Sequence, residues 1–173
     1  MKHFFKFLLI GLIYGGFPEV VNQIYVKHSV SGFFATLRYY LIMLLILFVL
    51  RKWYNRIVKN KLVNNLFWYV LLGAFGLYIE WTYLGNQGAA WYGQIAMFTF
   101  WGSFGIMPAI FTEEPVFADM KRSIKKYTVV WIAIYLIAGI ANPGLGLLLW
   151  ILGSVLLNYY YFRYFRLLRK SSA

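Results

Sequence analysis

The chain has 173 residues, of which 62% are hydrophobic and 22% aromatic, and a mean hydropathy of +0.64. That apolar share excludes an ordinary water-soluble domain, which would have to expose large apolar patches, whereas a bilayer accepts such surface. A net charge of +12 raises nucleic acid as a partner until the basic residues are located, and the absence of cysteine excludes disulfides, thiolate metal sites and cysteine nucleophiles.

Apolar runs able to cross about 30 Å of hydrocarbon at about 1.5 Å per residue predict six spans. They cover residues 4–23, 32–50, 62–84, 90–111, 127–141 and 144–162. The predicted fold class is all-α: a polytopic integral membrane helix bundle forming a single transmembrane domain over residues 1–173.

The first run opens on Lys2, His3 and Lys6, as a secretory signal would. No small-x-small cleavage site follows, and the run continues through Pro18 and Glu19 to Gln23, so it reads as an uncleaved anchor. Gly11 and Gly15 in this run, and Gly73 and Gly76 in the third, form small-residue pairs suited to close helix contact. Between the fourth and fifth runs, Pro115 to Lys126 places Val116, Phe117, Met120 and Ile124 on one face, the pattern of an interfacial helix. Trp53, Tyr54, Ile57 and Val58 repeat that pattern more weakly. Glu113, Glu114 and Asp119 read as solvated partners of Lys121 and Arg122. Only Asn142-Pro143-Gly144 separates the last two runs, and the fifth is short, so a re-entrant or tilted pair is the alternative there.

Charge sets the orientation. Lys2, Lys6, Arg51, Lys52, Arg56, Lys59, Lys61, Lys121, Arg122, Lys125, Lys126, Arg163, Arg166, Arg169 and Lys170 fall on one side, fifteen of the 17 Lys and Arg. The other side holds Lys27, and Arg38 falls within a run. By the positive-inside rule both termini face the cytoplasm, in the cell membrane. The same placement removes the nucleic-acid reading, because the aromatic and basic tail from Tyr159 to Lys170 then forms an aromatic belt with snorkelling arginines.

Ionisable side chains at membrane depth cost roughly 2.5–3.5 kcal/mol at mid-bilayer, so each asks for a partner or a purpose. Glu19, Arg38 and Glu80 qualify, and counting about 1.5 Å per residue from the outer helix ends puts all three roughly 6–9 Å below the outer boundary. Asn22 and Gln23 follow Glu19 on the same helical face, and Pro18 frees a carbonyl beside it. Asn86 and Gln87 flank the helix end above Glu80, while Gln94, Phe98, Trp101, Gly105 and Pro108 recur at helical spacing on the fourth run. Tyr39, Tyr40, Trp81, Tyr83 and Trp91 add amphipathic rings at that depth.

These residues predict an outward-facing polar and aromatic pocket, with Glu19, Asn22, Gln23, Arg38, Glu80, Trp81, Asn86, Gln94 and Trp101 as its ligand-binding set. Arg38 is expected to pair with Glu19, Glu80 or both, which leaves one carboxylate for a proton or a bound cation to balance. The competing structural reading is a Glu-Arg-Glu network that only glues helices together.

His3 and His28 fall on opposite sides, Ser103 has no evident base, and there is no Walker loop or dinucleotide fingerprint. No cofactor or metal is expected, and an enzyme is the less favoured class. Three functions remain. The first is a subunit that binds or transports a small cationic or zwitterionic solute. The second is a metal-free enzyme acting on a lipid or isoprenoid by carboxylate acid/base chemistry. The third is a scaffold or assembly factor for a membrane-protein partner or a second copy of the chain.

Overall fold

The computed structural model describes residues 2–113 and 117–172, without the side chains of Glu113 and Ser172. Among the described residues the chain is helical, with no strand. The helices are α1 (Lys2–Glu19), α2 (Val30–Ile57), α3 (Lys61–Thr82), α4 (Trp91–Glu113), α5 (Ala118–Ala141) and α6 (Pro143–Ser172). A π-helical segment, Val20–Val26, continues α1, and a short 3-10 turn, Asn86–Gly88, lies between α3 and α4. With α1 counted together with its π-helical continuation, six helices are long and apolar enough to cross a membrane.

Helices α2, α5 and α6 outrun their apolar stretches at the basic end, because helical periodicity persists where hydropathy fails, whereas α3 ends two residues short of its run. In α5 the buried stripe of Met120, Ile124, Thr128, Trp131, Tyr135 and Gly139 repeats at helical spacing across the lysine-rich stretch. The segment expected as a separate interfacial helix is therefore, from residue 118 onward, the first part of α5, and Met120 and Ile124 face the protein core instead of headgroups. Pro115, Val116, Glu114 and the side chain of Glu113 lie outside the described residues. The short fifth run is the apolar part of a helix of 24 residues.

Helix α4 is the axis of the bundle: all residues from 99 to 110 are buried, and α1, α3 and α6 pack against it. Small residues allow the close approach. A Cβ on Gly73 would lie 2.7 Å from the Phe98 ring, and one on Gly102 2.7 Å from the Tyr69 ring. Helices α5 and α6 form an antiparallel hairpin along their lengths. Tyr127 donates to the Gly153 carbonyl at 2.7 Å, Trp131 donates to the Leu149 carbonyl at 3.0 Å, and Gly146 meets the backbone of Gly139. At the turn, the Asn142 side chain accepts from the backbone N–H groups of Gly144 (2.9 Å) and Leu145 (3.2 Å), and Pro143 supplies the first helical position.

One chain of polar groups crosses the bundle. Tyr69 donates to Asn158, whose amide donates to Thr99, and Ser103 donates to the Thr99 carbonyl at 2.6 Å. On α6, Tyr161, Tyr164, Phe165 and Leu168 are buried. Those four side chains belong to the core, and the exposed positions between them carry Phe162, Arg163 and Arg166.

Candidate site at the low-charge end

Pro18 has no backbone N–H, so α1 cannot close its regular ladder there, and the chain rewinds into the wider π form immediately after Glu19. The Lys27 N–H donates to the Asn22 carbonyl, five residues back, at 3.0 Å, and the Ser29 N–H donates to the Gln23 carbonyl at 2.7 Å. His28 then takes a left-handed backbone conformation, φ 51°, and the Ser29 hydroxyl caps α2 by accepting from Gly32 N–H at 3.0 Å. Glu19, Asn22, Gln23 and Lys27 all line one cleft as a result. Extended π-helical turns concentrate at functional sites, which makes this segment informative in itself.

The cleft has a volume of about 830 Å³ and is walled by α1 with its π segment, α2, α3, the start of the following loop and α4. From α2 come Ala35, Thr36, Tyr39 and Tyr40; from α3 and its loop come Ile79, Glu80, Tyr83, Leu84 and Asn86; α4 contributes Trp101. Small-molecule sites occupy about 300–1,000 Å³, so the volume suits a compact solute.

Each carboxylate is held by an aromatic donor from a neighbouring helix. Tyr40 donates its hydroxyl to Glu19 Oε1 at 3.0 Å, and Trp101 donates its indole N–H to Glu80 Oε1 at 3.0 Å. The Asn86 amide donates to Glu80 Oε2 at 2.7 Å. Four residues before each glutamate stands a glycine that makes room for the donor ring. A Cβ on Gly15 would lie 2.9 Å from Tyr40, and one on Gly76 1.9 Å from Trp101. Glu19 Oε2 is buried and has no hydrogen-bond partner among the described residues. A buried carboxylate oxygen without a donor is costly, and it marks where a ligand donor or a water would be satisfied.

Of the nine residues expected to bind ligand, Glu19, Asn22, Gln23, Glu80, Asn86 and Trp101 line the cleft, and Arg38, Trp81 and Gln94 do not. The expected Arg38 pairing is corrected: Arg38 is exposed, and among the described residues no ion pair joins it to either glutamate. The cause is rotational. Helix α2 turns its Tyr39/Tyr40 side to the cleft, while Arg38 shares the outward face with Phe34, Ile42, Leu45 and Val49, all exposed. Trp81 and Gln94 brace the α3–α4 loop instead. Trp81 donates to Gln94 Oε1 at 2.7 Å, and the Gln94 amide faces the carbonyls of Ala89 (3.1 Å), Asn86 (3.3 Å) and Gln87 (3.4 Å). Their effect on the cleft is indirect, through the placement of Asn86.

Sequence reasoning missed Lys27, the only cation among the described lining residues, and also Ala35 and Thr36. Lys27 looks like an isolated loop charge, and only the π winding carries it round to the side of Glu19 and Gln23. No protein-family model, no curated protein and no solved structure matches this chain.

Proposed function

We propose that this chain is a six-span protein of the cell membrane that binds a small amine-bearing solute in the Glu19/Glu80 cleft, as a binding or transport subunit. Its basic end lies in the cytoplasm with both termini, because fifteen of the 17 Lys and Arg collect there and resist translocation. The cleft is then on the outer side, open to solutes from outside the cell.

The observation that carries the reading is the buried, partnerless Glu19 Oε2 in a cleft shared with a second carboxylate. Two carboxylates and one amine leave an excess of acceptors over cationic donors, which a ligand ammonium group supplies. Tyr39, Tyr40, Tyr83 and Trp101 suit the same ligand, since a cation over an aromatic face gains about 0.5–2 kcal/mol depending on desolvation. Lys27 adds a contact for the anionic group of a zwitterion.

The test is thermal unfolding of the purified full chain with primary amines, quaternary ammonium ions and amino-acid zwitterions, each against a neutral isostere. The charged solutes raise Tm in the wild type, and the rise disappears in Glu19→Gln and Glu80→Gln. An absence of any solute effect would sink the reading. Co-purification of another membrane protein would then favour the scaffold reading, and altered lipids in a deletion strain would favour the enzyme.

A further inference from the structure

At the opposite, basic end of the bundle, the turn between α2 and α3 encloses a second polar notch of about 180 Å³. It is lined by Arg51, Asn55, Val58, Lys59, Lys61, Asn64 and Asn65, so its described lining holds three cations, three amides and no carboxylate. The notch plays no part in the amine cleft, and the two readings share only membrane insertion and the orientation that puts the basic end in the cytoplasm.

Its walls are built as a fixed site. Arg51 is 2% exposed and Asn65 1%, deep for such polar groups, and the guanidinium donates to Asn65 Oδ1. Asn64 is also buried, and its amide donates to Asn55 Oδ1 at 2.8 Å and to the Val58 carbonyl at 3.3 Å, which ties the turn to α3. Helix α3 begins at this point, with the Asn60 side chain accepting from Val63 N–H at 3.1 Å. The positive end of that helix dipole therefore adds to Lys59, Lys61 and Arg51.

The surroundings tell which anion fits. Below the charged turn, Trp53 (60% exposed), Ile57 (60%) and Val63 (49%) present apolar surface. On the adjacent face of α2, Lys52 and Arg56 rim a groove of about 300 Å³ floored by Phe48, Val49 and Trp53. Cations above an apolar wall match a molecule with an anionic head and hydrocarbon tails.

We propose that the α2–α3 notch binds the phosphoryl group of an anionic phospholipid of the inner leaflet through the exposed Lys59 and Lys61, with the acyl chains lying along the exposed apolar face of α2 and α3. The lipid anchors the α2–α3 turn at the headgroup level.

The test uses the full chain in mild detergent, titrated with phosphatidylglycerol or phosphatidylcholine and read by native mass spectrometry and thermal unfolding. Lys59→Gln/Lys61→Gln is compared with Lys125→Gln/Lys126→Gln, which removes the same charge from exposed positions at the same end. Phosphatidylglycerol is retained by the wild type and by the α5 double variant, and about tenfold more weakly by the notch variant. Equal weakening in both double variants would mean diffuse attraction and overturn the site. Equal retention of phosphatidylcholine, or the same stabilisation by inorganic phosphate alone, would overturn the anionic lipid as its occupant. Arg51 is left intact because its burial makes any substitution there a folding test.

Discussion

Trp101 donates its indole N–H to Glu80 Oε1 at 3.0 Å, and it can do so only because Gly76, one turn before Glu80 on α3, leaves its ring the space. Tyr40, Gly15 and Glu19 repeat that relationship between α2 and α1. The cleft is thus two copies of one local device, each made of a glycine, an aromatic donor from another helix and a carboxylate.

Gly76→Ala therefore disturbs the site more than Gly15→Ala. The added Cβ would fall 1.9 Å from Trp101 Cγ in the first case and 2.8 Å from Phe104 Cε2 in the second. Overpacking of this kind costs about 1–3 kcal/mol, with Gly76→Ala at the upper end, and Trp101 withdraws from Glu80. Tm and tryptophan emission of the two variants report the order. A reversed order would contradict the role assigned to Gly76.

Arg38→Gln leaves solute binding unchanged and shifts stability by no more than about 0.5 kcal/mol, as for an exposed position with no ion pair among the described residues. Lys27→Gln acts differently: it lowers the preference for zwitterions over simple amines without abolishing amine binding. Competition between an amino acid and the matching amine in the two variants separates these outcomes. Loss of binding in Arg38→Gln would restore Arg38 to the site.

Asn142→Ala removes the acceptor for Gly144 and Leu145 N–H at the start of α6, and costs about 1 kcal/mol. Gly146→Ala is more damaging, because its Cβ would lie 2.6 Å from Gly139 Cα, a backbone atom that cannot move aside unless α5 and α6 separate. Unfolding in graded denaturant ranks the two, and a milder effect from Gly146→Ala would contradict the close crossing.

Because the chain lacks cysteine, single cysteines report its sidedness directly. Positions Lys27, Gly88 and Asn142 react with an impermeant thiol reagent applied to intact cells. Positions Lys59, Lys121 and Ser171 react only after permeabilisation. The opposite pattern would invert the proposed orientation and place the amine cleft inside the cell.

Six long helices were legible from apolar runs, and the meeting of Glu19 and Glu80 in one cleft from counting residues down each helix. Rotation about the helix axis was not. Arg38 and Tyr40 sit at nearly one depth, yet two residues amount to about 200° of turn, so one faces outward and the other bonds Glu19. Distance along a helix follows from sequence alone, whereas facing depends on which neighbour packs there. Pro18 signalled a disturbance without specifying its form, and the π winding that recruits Lys27 depends on packing such as Val21 against Gly139 and the weak 3.4 Å bond from Tyr135 to the Pro18 carbonyl. The start of α5 was misplaced for a different reason, since lysines stop a hydropathy window but not a helix.

The enclosure of α4 sets an order of assembly. Ribosomes deliver α4 before α6, so during synthesis the flank that α6 will cover stands bare. The bundle closes only when the α5–α6 hairpin swings into place, and any variant that delays that last step prolongs the life of a half-built intermediate with its central aromatic rings uncovered.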